Sequence, residues 1–312
     1  MAVLVSGSVA VDHIMVFRGR FGDHILPEKV HALNVSFHVP DLRRTWGGCA
    51  ANIAFNLKLL GEEPLVLATV GRGDFYAYSE WLDRHGLRRD WIRELEGEAT
   101  AGAFITTDLD DNQITAFHPG AMDRAHEVEV SEVSEPFDVG VVSPNGKQAM
   151  QDVARALKAR GTRTVVDPGQ GIGLFDAAEL TELLTGADVY VVNDYEWSVT
   201  LERTGLDEDG VADRVGSVIV TRGAQGSWLR TGTERSLIPA VEAEAVVDPT
   251  GCGDAYRAGL LYGMARGLPF ETSTRVGSLM GSLKVARSGT QCLDFSAEEF
   301  RARFQQEFGS AL

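Results

Sequence analysis

The stretch from Val246 to Gly267, VVDPTGCGDAYRAGLLYGMARG, constrains the rest of the chain more than any other. Residues 242–247 alternate loosely and end in two β-branched valines, which predicts the end of a strand. Pro249 forces a break. Gly251, Cys252 and Gly253 are small enough for a bulky ligand group to approach the backbone. From Ala255 onward, Ala258, Leu261, Tyr262 and Ala265 recur at helical spacing. A helix starting at such a turn leaves its first amides without internal partners and points the positive end of its dipole at the turn. That is an anion site built from backbone. Asp254 stands in the same turn, where its charge would repel a bound phosphate. A carboxylate suits this place if it takes the proton from a hydroxyl that attacks an arriving phosphoryl group. The plainer alternative is an acid that only complements the helix dipole.

The remaining chain supplies a framework for such a turn. Ala2–Ser6, Pro64–Val70, Phe137–Ser143, Thr162–Asp167, Val189–Val192 and Ser217–Thr221 read as strands. Helices are expected from Trp46-Gly47-Gly48 to Leu60, over Phe75–His85, Gly146–Arg160 and Asp176–Leu184, from Glu271 to about Lys284, and over Ala297–Phe308. A hairpin passes through Thr231-Gly232-Thr233. Strands alternating with helices predict an α/β fold with a mostly parallel, doubly wound sheet. Its 312 residues fit a single domain over 1–312. Three segments break the rhythm. Leu33 to Val39 alternates strictly, which predicts a half-buried antiparallel strand. Ala101–Thr107 and Gln113–Phe117 form a pair joined by the acidic loop 108–112. We read these as a small separate sheet, a lid formed by about 13–42 and 98–120, and also as a candidate homodimer surface.

Charge narrows the partners. The net charge of −16 argues against nonspecific binding to nucleic acid or an anionic membrane. A polyanion must then be held locally, by backbone amides and a metal. Cys49, Cys252 and Cys292 are odd in number and widely spaced, which fits buried thiols in a reducing compartment. The N-terminal residues lack the pattern of a signal peptide and no run reaches membrane-spanning length, so the cytoplasm is expected.

Other motifs carry chemistry. Gly7-Ser8 closes the first strand and Asp12-His13 follows, where open α/β sheets bind ligands. Gly47 and Gly48 permit close approach of a hydroxylated ligand, and Asn52, one turn into the helix, can reach back to it. Asn193-x-x-Glu196 sets two oxygen ligands at a strand end, a pattern that suits Mg²⁺ acting partly through water and equally an ordinary helix start. Thr221-x-Gly223-x-x-Gly226 is a strand followed by a glycine-rich turn fit for ATP phosphates. Gly71-Arg72-Gly73 lacks the third glycine and the acidic partner of a dinucleotide fingerprint.

Asp248-Pro249-Thr250-Gly251-Cys252-Gly253-Asp254 resembles the signature of the ribokinase-type (PfkB) sugar and nucleoside kinases, and the three motifs above occur in that family's order. The resemblance spans nearly the whole chain and implies a ribokinase-like three-layer α/β/α sandwich with a β-sheet lid. Within the family the chain is most similar to the bacterial adenosine kinases, through Gly7-Ser8, Asp12-His13, 35–37, Gly47-Gly48, Asn52, 117–122 and 193–197. By that resemblance Ser8, Asp12, Gly47, Gly48 and Asn52 lie at the ribose, and Ser36, Phe117 and Gln170 line the base. Asp254 is the catalytic base, with the amides of Gly251, Cys252 and Gly253 on the transferring group. Asn193, Thr221, Gly223 and Gly226 hold ATP, and Asn193 and Glu196 hold Mg²⁺. Asp248, Thr250 and the 288–291 loop form a candidate K⁺ site. The implied reaction is ATP-dependent phosphorylation of the 5′-hydroxyl of adenosine, with a ribose or fructose kinase as the alternative. Two departures bear on the base. Ala103 stands where the relatives carry a second aromatic, a place Phe104 could fill, and 167–171 keeps one of two expected glutamines.

Overall fold

Uninterrupted apolar strands such as Val189–Val192 can be buried on both faces only when helices cover both sides of a sheet. The computed structural model, which describes residues 2–25, 31–32, 34–110 and 112–312, has that layering. The chain runs β1 (Ala2–Ser6), β2 (Ala10–Val16), β3 (Asp41–Gly47), α1 (Cys49–Leu59), β4 (Glu63–Gly71), α2 (Tyr76–Arg84), β5 (Ile92–Leu95), β6 (Ala101–Thr107) and β7 (Gln113–His118). There follow β8 (Val139–Val142), α3 (Lys147–Arg160), β9 (Arg163–Val166), α4 (Ala177–Leu184), β10 (Val189–Asn193), α5 (Asp194–Thr204) and α6 (Glu208–Ala212). Then come β11 (Ser217–Thr221), β12 (Ser227–Thr231), β13 (Glu234–Ile238), α7 (Cys252–Ala265), α8 (Phe270–Val285) and α9 (Ala297–Phe308).

The central sheet has nine strands in the order β13-β12-β11-β10-β9-β8-β1-β4-β5, parallel except for the β11-β12-β13 meander. Alternate residues of each strand feed opposite cores. Val3, Val5, Val191 and Ile219 meet α1, α2, α7, α8 and α9, while Leu4, Tyr190, Val192 and Val218 meet α3 to α6. The ends of β1, β8, β9, β10 and β11 therefore share one edge, with Ser6 beside Val142 and Asn193 beside Thr221. A ligand crevice is expected at that edge.

The second sheet has four strands, β3-β2-β6-β7, and grows out of the same edge between β1 and α1. It differs from the sequence expectation in three ways. Asp12, expected just past the end of β1, lies inside β2 of this second sheet. Trp46 and Gly47 end β3 rather than open a helix, and α1 starts at Cys49. Residues 34–40 alternate between exposed and half-buried but are not in a strand, and Leu33 and Asp111 lie outside the described residues. Phe37 instead docks between the rings of Phe17 and Phe21, with centroids 4.9 and 5.0 Å away. Residues 242–247 also form no strand; Val246 and Val247 are exposed.

Candidate active site

Ser8 seats the start of α1 on the end of β1. Its hydroxyl accepts the Cys49 amide (3.0 Å) and its carbonyl accepts the Ala50 amide (3.0 Å). Gly48 has φ 89°, and a Cβ there would lie 2.5 Å from the Ser8 carbonyl oxygen, so only glycine fits. A Cβ at Gly47 would lie 2.6 Å from an oxygen of the Asp12 carboxyl, which occupies the space that glycine leaves. Burial pushes Asp12 up to about 6.

Asn52 projects from the first turns of α1 to α7, where its Nδ2 donates to Asp254 Oδ2 at 2.8 Å. A chain of buried hydrogen bonds fixes that amide. The Trp81 indole can only donate, and it donates to Gln291 Oε1 (2.8 Å). Gln291 Nε2 therefore points inward and donates to Asn52 Oδ1 (3.1 Å) and to the Tyr78 oxygen (2.6 Å). With its oxygen taken, Asn52 turns its NH₂ to Asp254. Tyr78 donates in turn to the Gly47 carbonyl (2.8 Å) and stacks on Trp46 at 4.7 Å. Burial first, then the charge of Asp167, pushes Asp254 up to about 6 against the opposing pulls of Asn52 and Arg257. A carboxyl poised near neutrality is suited to general-base work.

The anion turn has the form the sequence implies, with one difference. Gly251 adopts φ 79° at the start of α7. The Cys252 amide, expected to face the transferring group, instead donates to the Pro249 carbonyl at 3.1 Å and closes the turn. The amides of Gly251 and Gly253 have no partner among the described residues.

Behind the turn lies a buried charge network. Arg257, one turn past Asp254, bonds Asp167 through Nε (2.9 Å) and Nη2 (3.3 Å), with both side chains 6% exposed. Asp167 follows the end of β9. Burial and the Asp167 charge push Glu196 up. Asn193 and Glu196 form a capping box on α5: Asn193 Oδ1 accepts the Glu196 amide and Glu196 Oε2 accepts the Asn193 amide, each at 2.8 Å. The helix-start reading is thus met, and the metal reading retains support, since a buried excess of carboxylate is what a divalent cation offsets. Thr221 lies beside Asn193, and the turn after it closes by the Arg222 amide on the Gly226 carbonyl (2.8 Å).

The lid places three residues in one row. Asp12 pairs with Ala103, and Ala103 with Phe117, so all three share a face. Phe117 is 52% exposed. Phe104 lies on the opposite face, its ring stacked on His13 at 4.8 Å, so it does not replace the aromatic missing at Ala103. Ser36 and Gln170 are both exposed, Gln170 in a short 3-10 turn after β9.

The pattern of the pfkB family carbohydrate kinases matches residues 7–295. The chain belongs to the pfkB family. This kinase is 32% identical over 267 residues to a nucleoside kinase of Methanocaldococcus jannaschii, a match covering 85% of this chain and 87% of that one. The solved structure of a Burkholderia thailandensis nucleoside kinase in complex with inosine superposes with a TM-score of 0.89 at 44% identity, covering 99% of each chain. An adenosine kinase from Sinorhizobium meliloti shares the fold, with a TM-score of 0.78 at 23% identity over 96% of this chain and 98% of that one. The ribokinase-like sandwich with a small separate sheet is as expected. The protein is a phosphotransferase with an alcohol acceptor, an ATP-dependent kinase of the nucleoside and sugar class.

Sequence reasoning missed several parts of the kinase site. Arg257 left a signal: it is the one charged residue within 255–265, an otherwise small and apolar helix run. Tyr78 and Trp81 left none, because their partner Gln291 is more than 200 residues away.

Proposed function

We propose that this kinase transfers the γ-phosphoryl group of ATP to the 5′-hydroxyl of adenosine, giving AMP. The observation that carries the reading is the Asn52–Asp254 hydrogen bond at 2.8 Å, set at an anion turn next to a lid face that bears both a half-buried carboxyl and an exposed aromatic. Asp254 accepts the hydroxyl proton, and the amides of Gly251 and Gly253 face the transferring group. Asp12 and Asn52 take the ribose hydroxyls, Phe117 lies against the base, and Ser36 and Gln170 approach it when the lid closes and excludes water. Thr221, Gly223 and Gly226 receive the ATP phosphates. Mg²⁺ would be held by Glu196 and Asn193, partly through water, and would neutralise charge on the ATP oxygens. The inosine complex of the Burkholderia relative supports a purine nucleoside as acceptor.

The bare methyl of Ala103 favours one second reading, a sugar kinase with no base to sandwich. A coupled assay over adenosine, inosine, ribose and fructose 6-phosphate decides between them. Adenosine is expected to give the highest kcat/KM. A higher value on inosine would move the acceptor to oxopurine nucleosides, and a higher value on a free sugar would favour the second reading. The lid face opposite Asp12 exposes Leu42, Phe104 and Ile114, which supports a homodimer through this sheet. A monomeric mass by light scattering would exclude that dimer. The three free cysteines support a reducing, cytoplasmic setting.

A further inference from the structure

The place read from the sequence as a monovalent-cation site already holds a cation that belongs to the chain. Lys284, in the last turn of α8, is fully buried, at 0% exposure. Lysine is almost never buried without a partner, because desolvating an ammonium is costly. Its Nζ donates to the carbonyls of Asp248 (3.0 Å) and Arg287 (3.1 Å). The first carbonyl opens the anion turn, and the second opens the 288–291 loop. The Asp248 carboxylate is taken as well, Oδ1 by the Thr250 amide and Oδ2 by the Gly289 amide, each at 2.9 Å. Burial pushes this carboxyl up, but those two amides and the Lys284 charge outweigh it and hold it below its ordinary range. All three Asp248 oxygens are therefore engaged, and the Lys284 ammonium already supplies there the positive charge that a K⁺ would bring, so these residues do not fit a bound K⁺.

This cluster reaches the chemistry by contact. Thr290, in the loop tied down by the Arg287 carbonyl, packs against Gly251, where a Cβ would lie 3.1 Å from its methyl carbon. Gln291, the next residue, orients Asn52 toward Asp254. The Val247 and Asp248 amides both bond the Val285 carbonyl (2.8 and 3.1 Å), which ties the end of α8 to the start of the turn.

We propose that Lys284 is a tethered monovalent cation, a positioning residue that holds the anion turn and the 288–291 loop in register so that turnover needs no added potassium. The proposal rests on the kinase activity but not on which nucleoside is accepted, because wild type and variant are compared on one substrate. Wild-type kcat is measured with and without KCl in sodium-free buffer, with ionic strength held by tetramethylammonium chloride; less than about a twofold change is expected at matched screening. Activation by K⁺ of about tenfold or more would overturn the proposal, whatever any variant does. Lys284→Ala removes the charge and leaves room for an ion beside the two carbonyls. Its kcat is expected to fall about tenfold or more without K⁺, within the range lost when a remote change misplaces the reacting groups. Added K⁺ should restore at least about threefold of that loss and tetramethylammonium none. A variant with wild-type melting temperature, low activity and no response to K⁺ would overturn the cation role and leave Lys284 as packing alone. If the variant does not fold, the wild-type measurement still decides.

Discussion

The floor of the site and its lid are built on opposite terms. On the floor, Asn52, Gln291 and Asp167 are all under 10% exposed, and hydrogen bonds join the side chains from Trp81 through Gln291 and Asn52 to Asp254. On the lid, every residue of β7 is exposed, and Phe117 has no ring opposite it. A hydrogen bond to a charge is stronger where water is excluded, so the floor is suited to fixing a proton acceptor and an anion turn before substrate arrives. An exposed sheet face has unmet contacts, and a ligand can supply them. Under the proposed function the contrast divides the labour: the floor would govern kcat, and the lid would govern which acceptor is held. Asp12 joins the two. It belongs to the lid, yet its charge and that of Asp254 both raise the pKa of Tyr78, after burial as the main cause.

The largest effect should come from the floor. Asp254→Asn keeps size and removes basicity, so kcat should fall at least about a hundredfold with KM nearly unchanged. Near-normal turnover would exclude Asp254 as the base. The wild-type pH profile carries the same claim. Burial pushes Asp254 up to about 6 and a general base acts only when ionised, so kcat/KM should fall as pH drops through that value. Asp12 has the same value and contributes to the same limb. A profile flat well below pH 6 would contradict both.

A smaller effect is expected at the relay. Gln291→Leu leaves Asn52 free to rotate, and kcat should fall about tenfold, on the scale of one hydrogen bond to a charged group. Because the Asn52 bond pulls Asp254 down, its loss should also move the acidic limb to higher pH. A lower melting temperature with an unmoved limb would make Gln291 a packing residue only. The smallest effect belongs to Glu196→Gln, which keeps a side-chain oxygen for the α5 cap. The Mg²⁺ concentration for half-maximal rate should rise several-fold, about that expected for losing one anionic ligand, with the adenosine KM unchanged. An unaltered Mg²⁺ dependence would leave Asn193 and Glu196 as a helix cap alone.

Local pattern made the central sheet legible. Strands buried on both faces are apolar throughout, and β11 and α9 have the predicted bounds. The lid was harder to read. Asp41-Leu-Arg-Arg-Thr has no alternation because both of its faces are largely exposed, while residues 34–40 alternate because Phe37 docks on an aromatic cluster. At the site, the motifs placed Asp254, Asn52, Asn193 and Thr221 at one edge of the sheet. The Arg257–Asp167 pair, the Trp81–Gln291–Asn52 relay and the Lys284–Asp248 contact join residues 36 to 239 positions apart, so no local motif shows which residues meet.

The division of labour is tested most directly by one ratio, the kcat/KM for adenosine over that for ribose, measured in wild type and in Phe117→Ala. Stacking of a base on an aromatic side chain contributes roughly 1–3 kcal/mol. The ratio should therefore fall about ten- to a hundredfold, through the adenosine KM, while ribose turnover stays within about twofold. An unchanged ratio, with both substrates equally impaired or neither, would contradict the assignment of acceptor choice to the lid.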